Sequence, residues 1–186
     1  MRLSDDQYQR DMHRHDLAKW MISHDAKTGT VSRWTGLSRY QVQKLSLRYH
    51  PGGRTRRRGI LPSQTAYFGK SASMEAESLA FIFMAVETQV IPEHISPDAR
   101  RVLPDLSRGE RLMEAFECYR ALVPVSRISL ERAILLVFEY AARRNLSVRR
   151  CVRCNDVMLA QRFGARYDRC PFCRKESRPE VLCAQT

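Results

Sequence analysis

The chain has 186 residues and a formal net charge of +12, with 44% hydrophobic residues, enough for one sizeable core plus a small accessory module. No apolar run reaches the roughly 18 residues of a membrane span, and the polar N-terminus (Met1, Arg2, Leu3, Ser4, Asp5, Asp6) lacks a secretion signal's apolar segment. A cytoplasmic protein with no membrane partner is therefore expected, its thiols kept reduced.

Charge is unevenly spread. Residues 1–70 carry 14 basic and 5 acidic side chains, residues 71–142 carry 7 and 11, and residues 143–186 carry 11 and 4. No Asp or Glu occurs from Ala26 through Lys70, whereas ten Lys or Arg do. A solvated helical surface usually mixes both signs, so this stretch has the electrostatic footprint of a polyanion-binding face.

Residues 12–24, with Met12, Leu17, Trp20 and Met21 between polar neighbours, predict an amphipathic helix that stops near Asp25 to Gly29. Thr30 to Leu45 fits a helix-turn-helix. Val31 starts its short first helix, small Ser32 sits where two helices cross, and Gly36 occupies a turn that needs positive φ. Leu37 points inward, Ser38 caps the second helix, and Val42 and Leu45 recur on its buried side. Ser38, Arg39, Tyr40, Gln43, Lys44 and Leu47 then project outward, flanked by Arg33 and Arg48. In such a motif the helix N-terminus reaches base edges of double-stranded DNA while flanking cations hold phosphates. Arg39 is assigned to base reading and Lys44 to phosphate.

Residues 50–62 are rich in Pro and Gly and predict a loop. Arg54, Arg56, Arg57 and Arg58 on it would form a phosphate or minor-groove arm. From Ser73 the composition turns apolar, and Met74 to Val90 predicts a helix buried almost all round. Pro92, Pro97 and Pro104 mark a connector; Ser107-Arg-Gly-Glu110 matches a capping box opening a helix to about Val123. After Pro124 a further helix is expected from about Ser129 to Asn145. Cys118 falls in an apolar helical stretch and is expected to be buried and inert, while Cys183 lies in a short polar tail.

Cys151-Val-Arg-Cys154 and Cys170-Pro-Phe-Cys173 form two CxxC pairs separated by fifteen residues. Each CxxC turn puts two thiolates on one side of the backbone, so two such turns complete a tetrahedral sphere for Zn2+. Two disulfides are the competing pairing, disfavoured in a reducing compartment. Four thiolates leave no open position, so the zinc would be structural rather than catalytic. Val157, Met158, Phe163 and Tyr167 suggest a ribbon-like hairpin between the pairs, studded with Arg149, Arg150, Arg153, Arg162, Arg166, Arg169 and Arg174.

The expected fold class is mainly α: a helical domain with an N-terminal helix-turn-helix and a C-terminal four-cysteine zinc-ribbon-like module. The expected division is 1–50 for the N-terminal helix and helix-turn-helix, 51–70 for the basic loop and 71–146 for the helical core. The zinc module takes 147–178 and the tail 179–186. No catalytic set stands out: there is no P-loop, His13 and His15 are two apart, and His24, His50 and His94 are isolated. A non-enzymatic protein is expected, with a zinc-ribbon RNA-binding or ribosome-associated protein as the alternative to a DNA reader.

Several motifs together resemble the FlhC family of flagellar master-regulator subunits. They are Leu37-Ser38-Arg39 with Val42 and Lys44-Leu45; Gly59-Ile60-Leu61-Pro62 followed by Thr65, Tyr67 and Phe68; Tyr119-Arg120; Arg132-Ala133 with Leu136-Val137; and the four cysteines. The resemblance implies a DNA-binding activator working in a hetero-oligomer with a small helical FlhD-type subunit. Such a complex binds upstream of promoters and recruits RNA polymerase, and Cys151, Cys154, Cys170 and Cys173 are the family's zinc ligands. Asn155-Asp156 replaces the family's usual Gly pair, the N-terminal helix is divergent, and the Arg54 to Arg58 cluster is unusually basic. These departures lean toward relatives on conjugative plasmids and integrative elements, which activate transfer genes.

Overall fold

A computed structural model describes residues 5–49, 72–91, 105–142, 145–161 and 168–176. Among them the chain is mainly helical: α1 (Asp5–Ser23), α2 (Thr28–Thr35), α3 (Arg39–Tyr49), α4 (Ala72–Glu87), α5 (Leu106–Leu122) and α6 (Leu130–Ala141). A hairpin of β1 (Leu146–Arg150) and β2 (Val157–Gln161) follows, then the short α7 (Pro171–Glu176).

α1 starts seven residues earlier than its apolar spacing indicates. Asp5 and Asp6 occupy its first turn, where carboxylates favour the positive helix end, and burial begins only at Leu17, Ala18, Met21 and Ile22. The break after it is made at Asp25, which takes φ 59°; Gly29 lies inside α2 rather than in the break. α2 accordingly begins at Thr28, not Val31. Lys27 at its N-cap offers no side-chain cap. The cap comes instead from Glu131 of α6, which accepts the Lys27 N–H at 2.7 Å and the Thr30 hydroxyl at 2.9 Å.

Gly36 closes α2 with φ 73°, a left-handed position that glycine adopts without steric cost. Leu37 is buried, and Ser32 does more than provide space: its hydroxyl donates to the Leu37 carbonyl at 2.7 Å and ties the turn. Ser38 caps α3 by accepting the Gln41 N–H at 3.3 Å, while the Gln41 side chain accepts the Ser38 N–H at 2.8 Å. This is a reciprocal capping box. Val42 is buried and Leu45 packs against the core.

α4 is not buried all round. Ala76, Ala80, Phe83, Val86 and Glu87 form a solvent-facing stripe, because its apolar run is longer than the face its neighbours cover. The capping box expected at Ser107 is also displaced. Asp105 caps α5 by accepting the Arg108 N–H at 2.9 Å, Ser107 lies within the helix, and Glu110 reaches His13 at 3.0 Å. Gly109 marks a close approach instead: a Cβ there would fall 2.6 Å from Leu17 Cδ2. Cys118 is exposed, contrary to expectation, since it shares the outer face of α5 with Arg111, Glu114 and Ala121. α6 ends at Ala141, not Asn145; Asn145 has already turned toward β1 and donates to Glu139 at 3.2 Å.

The core joins α1, α2, α4, α5 and α6 around Leu17, Trp34, Phe81, Phe116 and Tyr119, with Phe81 edge-on to Phe116 and Tyr119. Burying each such large side chain stabilises the fold by about 1.5–3 kcal/mol. The hairpin is antiparallel, with Val148 opposite Leu159 and Arg149 opposite Met158. Its alternation divides β2 between two environments: Leu159 enters the main core, whereas Met158 and Ala160 pack with Cys151, Cys170 and Cys173. One strand is thus a shared wall between the helical body and the sulfur cluster.

Candidate metal centre and basic helical face

The first CxxC pair sits in the connection between β1 and β2, and the second spans the start of α7. Asn155 closes the first turn at φ 60°, the left-handed conformation that asparagine tolerates better than most residues. That accounts physically for a non-glycine at this place. The Cys151 N–H donates to the Asp156 carbonyl at 2.8 Å, and the Asn155 N–H to the Cys151 carbonyl at 2.9 Å. The Val152 N–H donates to the Asp168 carbonyl at 3.0 Å, bringing the second pair against the first.

All four Sγ atoms converge within 4.8 Å of one another, and Cys154 and Cys170 stand 3.7 Å apart. A tetrahedral ion with bonds of ~2.3 Å to sulfur requires edges of about 3.8 Å, so the arrangement is compatible with a metal site. The four cysteines are free thiols rather than two disulfides. Cys151, Cys170 and Cys173 are buried while Cys154 is exposed.

The sulfurs are electrostatically unequal. The N–H groups of Cys154, Cys170 and Arg153 pull the Cys151 thiol down to about 6. Cys154 moves the other way, to about 12: the Asp156 N–H lowers it, but desolvation and the other three sulfurs outweigh that. Cys173 is raised, chiefly by desolvation. In the metal-free cluster Cys151 therefore ionises readily, while Cys154 and Cys173 hold their protons. A bound cation would displace those protons, which makes its affinity depend on pH. Two N–H···S contacts, from Cys170 to Cys151 at 3.2 Å and from Cys173 to Cys170 at 3.5 Å, orient the sulfurs.

Of the residues assigned to DNA contact, Arg33, Ser38, Arg39, Tyr40, Lys44 and Arg48 are exposed and Gln43 is half-buried. Tyr40 is 70% exposed, and the Lys44 ammonium lies 5.9 Å from its ring centroid. Leu47 is also exposed. Arg33 is placed differently from the α3 residues: its guanidinium lies 5.1 Å over the Phe138 ring of α6. Arg54, Arg56, Arg57 and Arg58 lie outside the described residues, as do the motif from Gly59 to Phe68 and Cys183.

His24, isolated in the sequence, pairs with Glu117 in the fold, and His13 pairs with Glu110 across the α1–α5 interface. Both contacts join α1 and the turn after it to α5. Sequence spacing also missed the Met158 and Ala160 cover over the sulfurs, which the alternation along β2 could have signalled. The contact of Arg174 with Glu75 of α4, at 2.7 Å, had no sequence signal beyond its place next to Cys173. No helix among the described residues is long and apolar enough to cross a membrane.

No protein-family model matches the chain, and a search of curated proteins returned no match.

Proposed function

We propose that this chain is the DNA-binding subunit of a cytoplasmic transcription activator, in which α2 and α3 act as a helix-turn-helix and a zinc ion on the four cysteines braces the C-terminal module. The observation that carries this reading is the outer face of α3, where Arg39, Tyr40, Lys44 and Arg48 are exposed on a helix pair that contains no acidic residue. In this reading Arg39 reads a base edge, Lys44 and Arg48 hold phosphates, and Arg54, Arg56, Arg57 and Arg58 extend the contact. The zinc is structural, because four thiolates fill its sphere, and the chain is not an enzyme.

The resemblance of its motifs to FlhC supplies the rest of the reading. The chain acts in a hetero-oligomer with a small helical FlhD-type subunit, binds upstream of promoters of flagellar or conjugative-transfer genes, and recruits RNA polymerase. The test is a titration of the co-purified complex onto promoter and random double-stranded DNA at two salt concentrations. A preference of at least about 10³-fold for the promoter, with affinity falling steeply as salt rises, is expected. Equal affinity for both DNAs, or preference for structured RNA without a partner, would overturn the reading in favour of an RNA-binding zinc ribbon.

A further inference from the structure

The helical body and the sulfur cluster are joined by two kinds of contact. One is apolar: Leu159 enters the main core while its strand neighbours Met158 and Ala160 cover the cysteines. The other is ionic and more specific. Arg174 directly follows Cys173 in α7, and its Nη2 lies 2.7 Å from Oε1 of Glu75 in the first turn of α4. The Glu75 side chain is only 2% exposed and Arg174 is 22% exposed. A carboxylate buried that deeply depends strongly on the cation that faces it. α7 is six residues long, too short to hold its place by its own backbone hydrogen bonds.

We propose that Glu75 is a positioning residue for the metal centre: through Arg174 it fixes α7, and with it Cys173, so that metal occupancy and the order of α4 are thermodynamically coupled. With the ion bound, α7 is pinned from the cysteine side and presents Arg174 to Glu75. When the ion leaves, α7 is held from one side only, and the buried carboxylate on α4 loses the fixed position of its cation. Linkage makes the coupling reciprocal: whatever factor the Glu75–Arg174 contact adds to metal affinity, the metal adds to the stability of the contact. The inference rests on the four cysteines binding zinc, but not on the chain binding DNA.

The experiment uses the full-length chain loaded with Zn2+. Zinc content is measured first, then release to a chromophoric chelator, then amide exchange along residues 74–87 before and after chelation. Removing a partner that orients a ligand typically costs 10–100-fold in metal affinity. Glu75→Gln is therefore expected to release zinc about tenfold faster than wild type. Chelation should accelerate exchange in α4 of the wild type, and have little further effect in Glu75→Gln. Arg174→Gln, on the more exposed partner, gives the same readouts if Glu75→Gln does not fold, and Arg174→Lys should keep most of the slow release. Val42→Ala, at a buried position on α3 rather than on α4, controls for general destabilisation and should leave zinc release unchanged. Bound zinc released equally fast from wild type, Glu75→Gln and Arg174→Gln would overturn the coupling alone. A chain that takes up no zinc would overturn both the coupling and the zinc reading.

Discussion

Glu131 caps a helix it does not belong to: from α6, its carboxylate accepts the Thr30 hydroxyl at 2.9 Å, and the neighbouring Lys27 N–H at 2.7 Å, at the start of α2. The 101-residue separation of Thr30 and Glu131 closes a loop that sets where α2 begins and how α3 is presented. Glu131→Ala removes both acceptors from the start of α2. It should lower stability by about 1–3 kcal/mol, measured by urea denaturation. Amide exchange at Lys27 to Val31 should rise more than exchange in α5, and equal changes in both would argue against a local capping role.

Two cysteine substitutions separate ligand from bystander. Cys154→Ser takes one thiolate from the cluster and should abolish stoichiometric zinc binding and sharply reduce soluble protein, because metal binding and folding of such a module are coupled. Cys118→Ser changes an exposed side chain and should stay within about 0.5 kcal/mol of wild type with zinc content intact. Zinc analysis and the denaturation midpoint check both.

The α1–α5 interface gives a pH dependence with a definite sign. Glu117 sits below its ordinary value of 4.5 because the Trp20 indole N–H donates to it, with further lowering by His24. A carboxyl depressed in the folded state stabilises the fold above the unfolded value near 4.5, and that contribution disappears as pH falls through the lower folded value. Glu117→Gln should therefore be less stable than wild type at pH 6, and the gap should narrow as pH drops below 4.5. Comparing the two proteins cancels the protonation of the cysteines, which both share. A gap that stays constant from pH 6 to pH 3.5 would contradict the assignment.

Local chemistry made part of this structure legible in the sequence. The CxxC pairs, the positive φ at Gly36, the inward Leu37 and the cap at Ser38 each follow from residues within a few positions of one another. What escaped depends on distant partners or on competition between neighbours. Glu131 and Glu75 are ordinary helical glutamates until the fold brings Thr30 and Arg174 to them. Asp105 displaced the Ser107 capping box because it reaches the same helix end two residues earlier. Cys118 was misplaced because apolar content, without the phase of the helix, does not say which side faces water. The exposed stripe on α4 escaped for the same reason: a helix that is apolar all round need not be covered all round.

The most direct test of the proposed DNA-reading face is the salt dependence of binding by the double variant Lys44→Ala/Arg48→Ala. Each phosphate contact contributes about 0.9 to the slope of log affinity against log salt. The double variant should therefore lose about 2 from the magnitude of that slope, on promoter and random DNA alike, with zinc content and helical circular dichroism unchanged. Arg39→Ala, run beside it, should relax the preference at one base pair by about 1–3 kcal/mol while leaving random-sequence binding less affected. An unchanged salt slope in the double variant would contradict the assignment of α3 as the DNA-contacting helix.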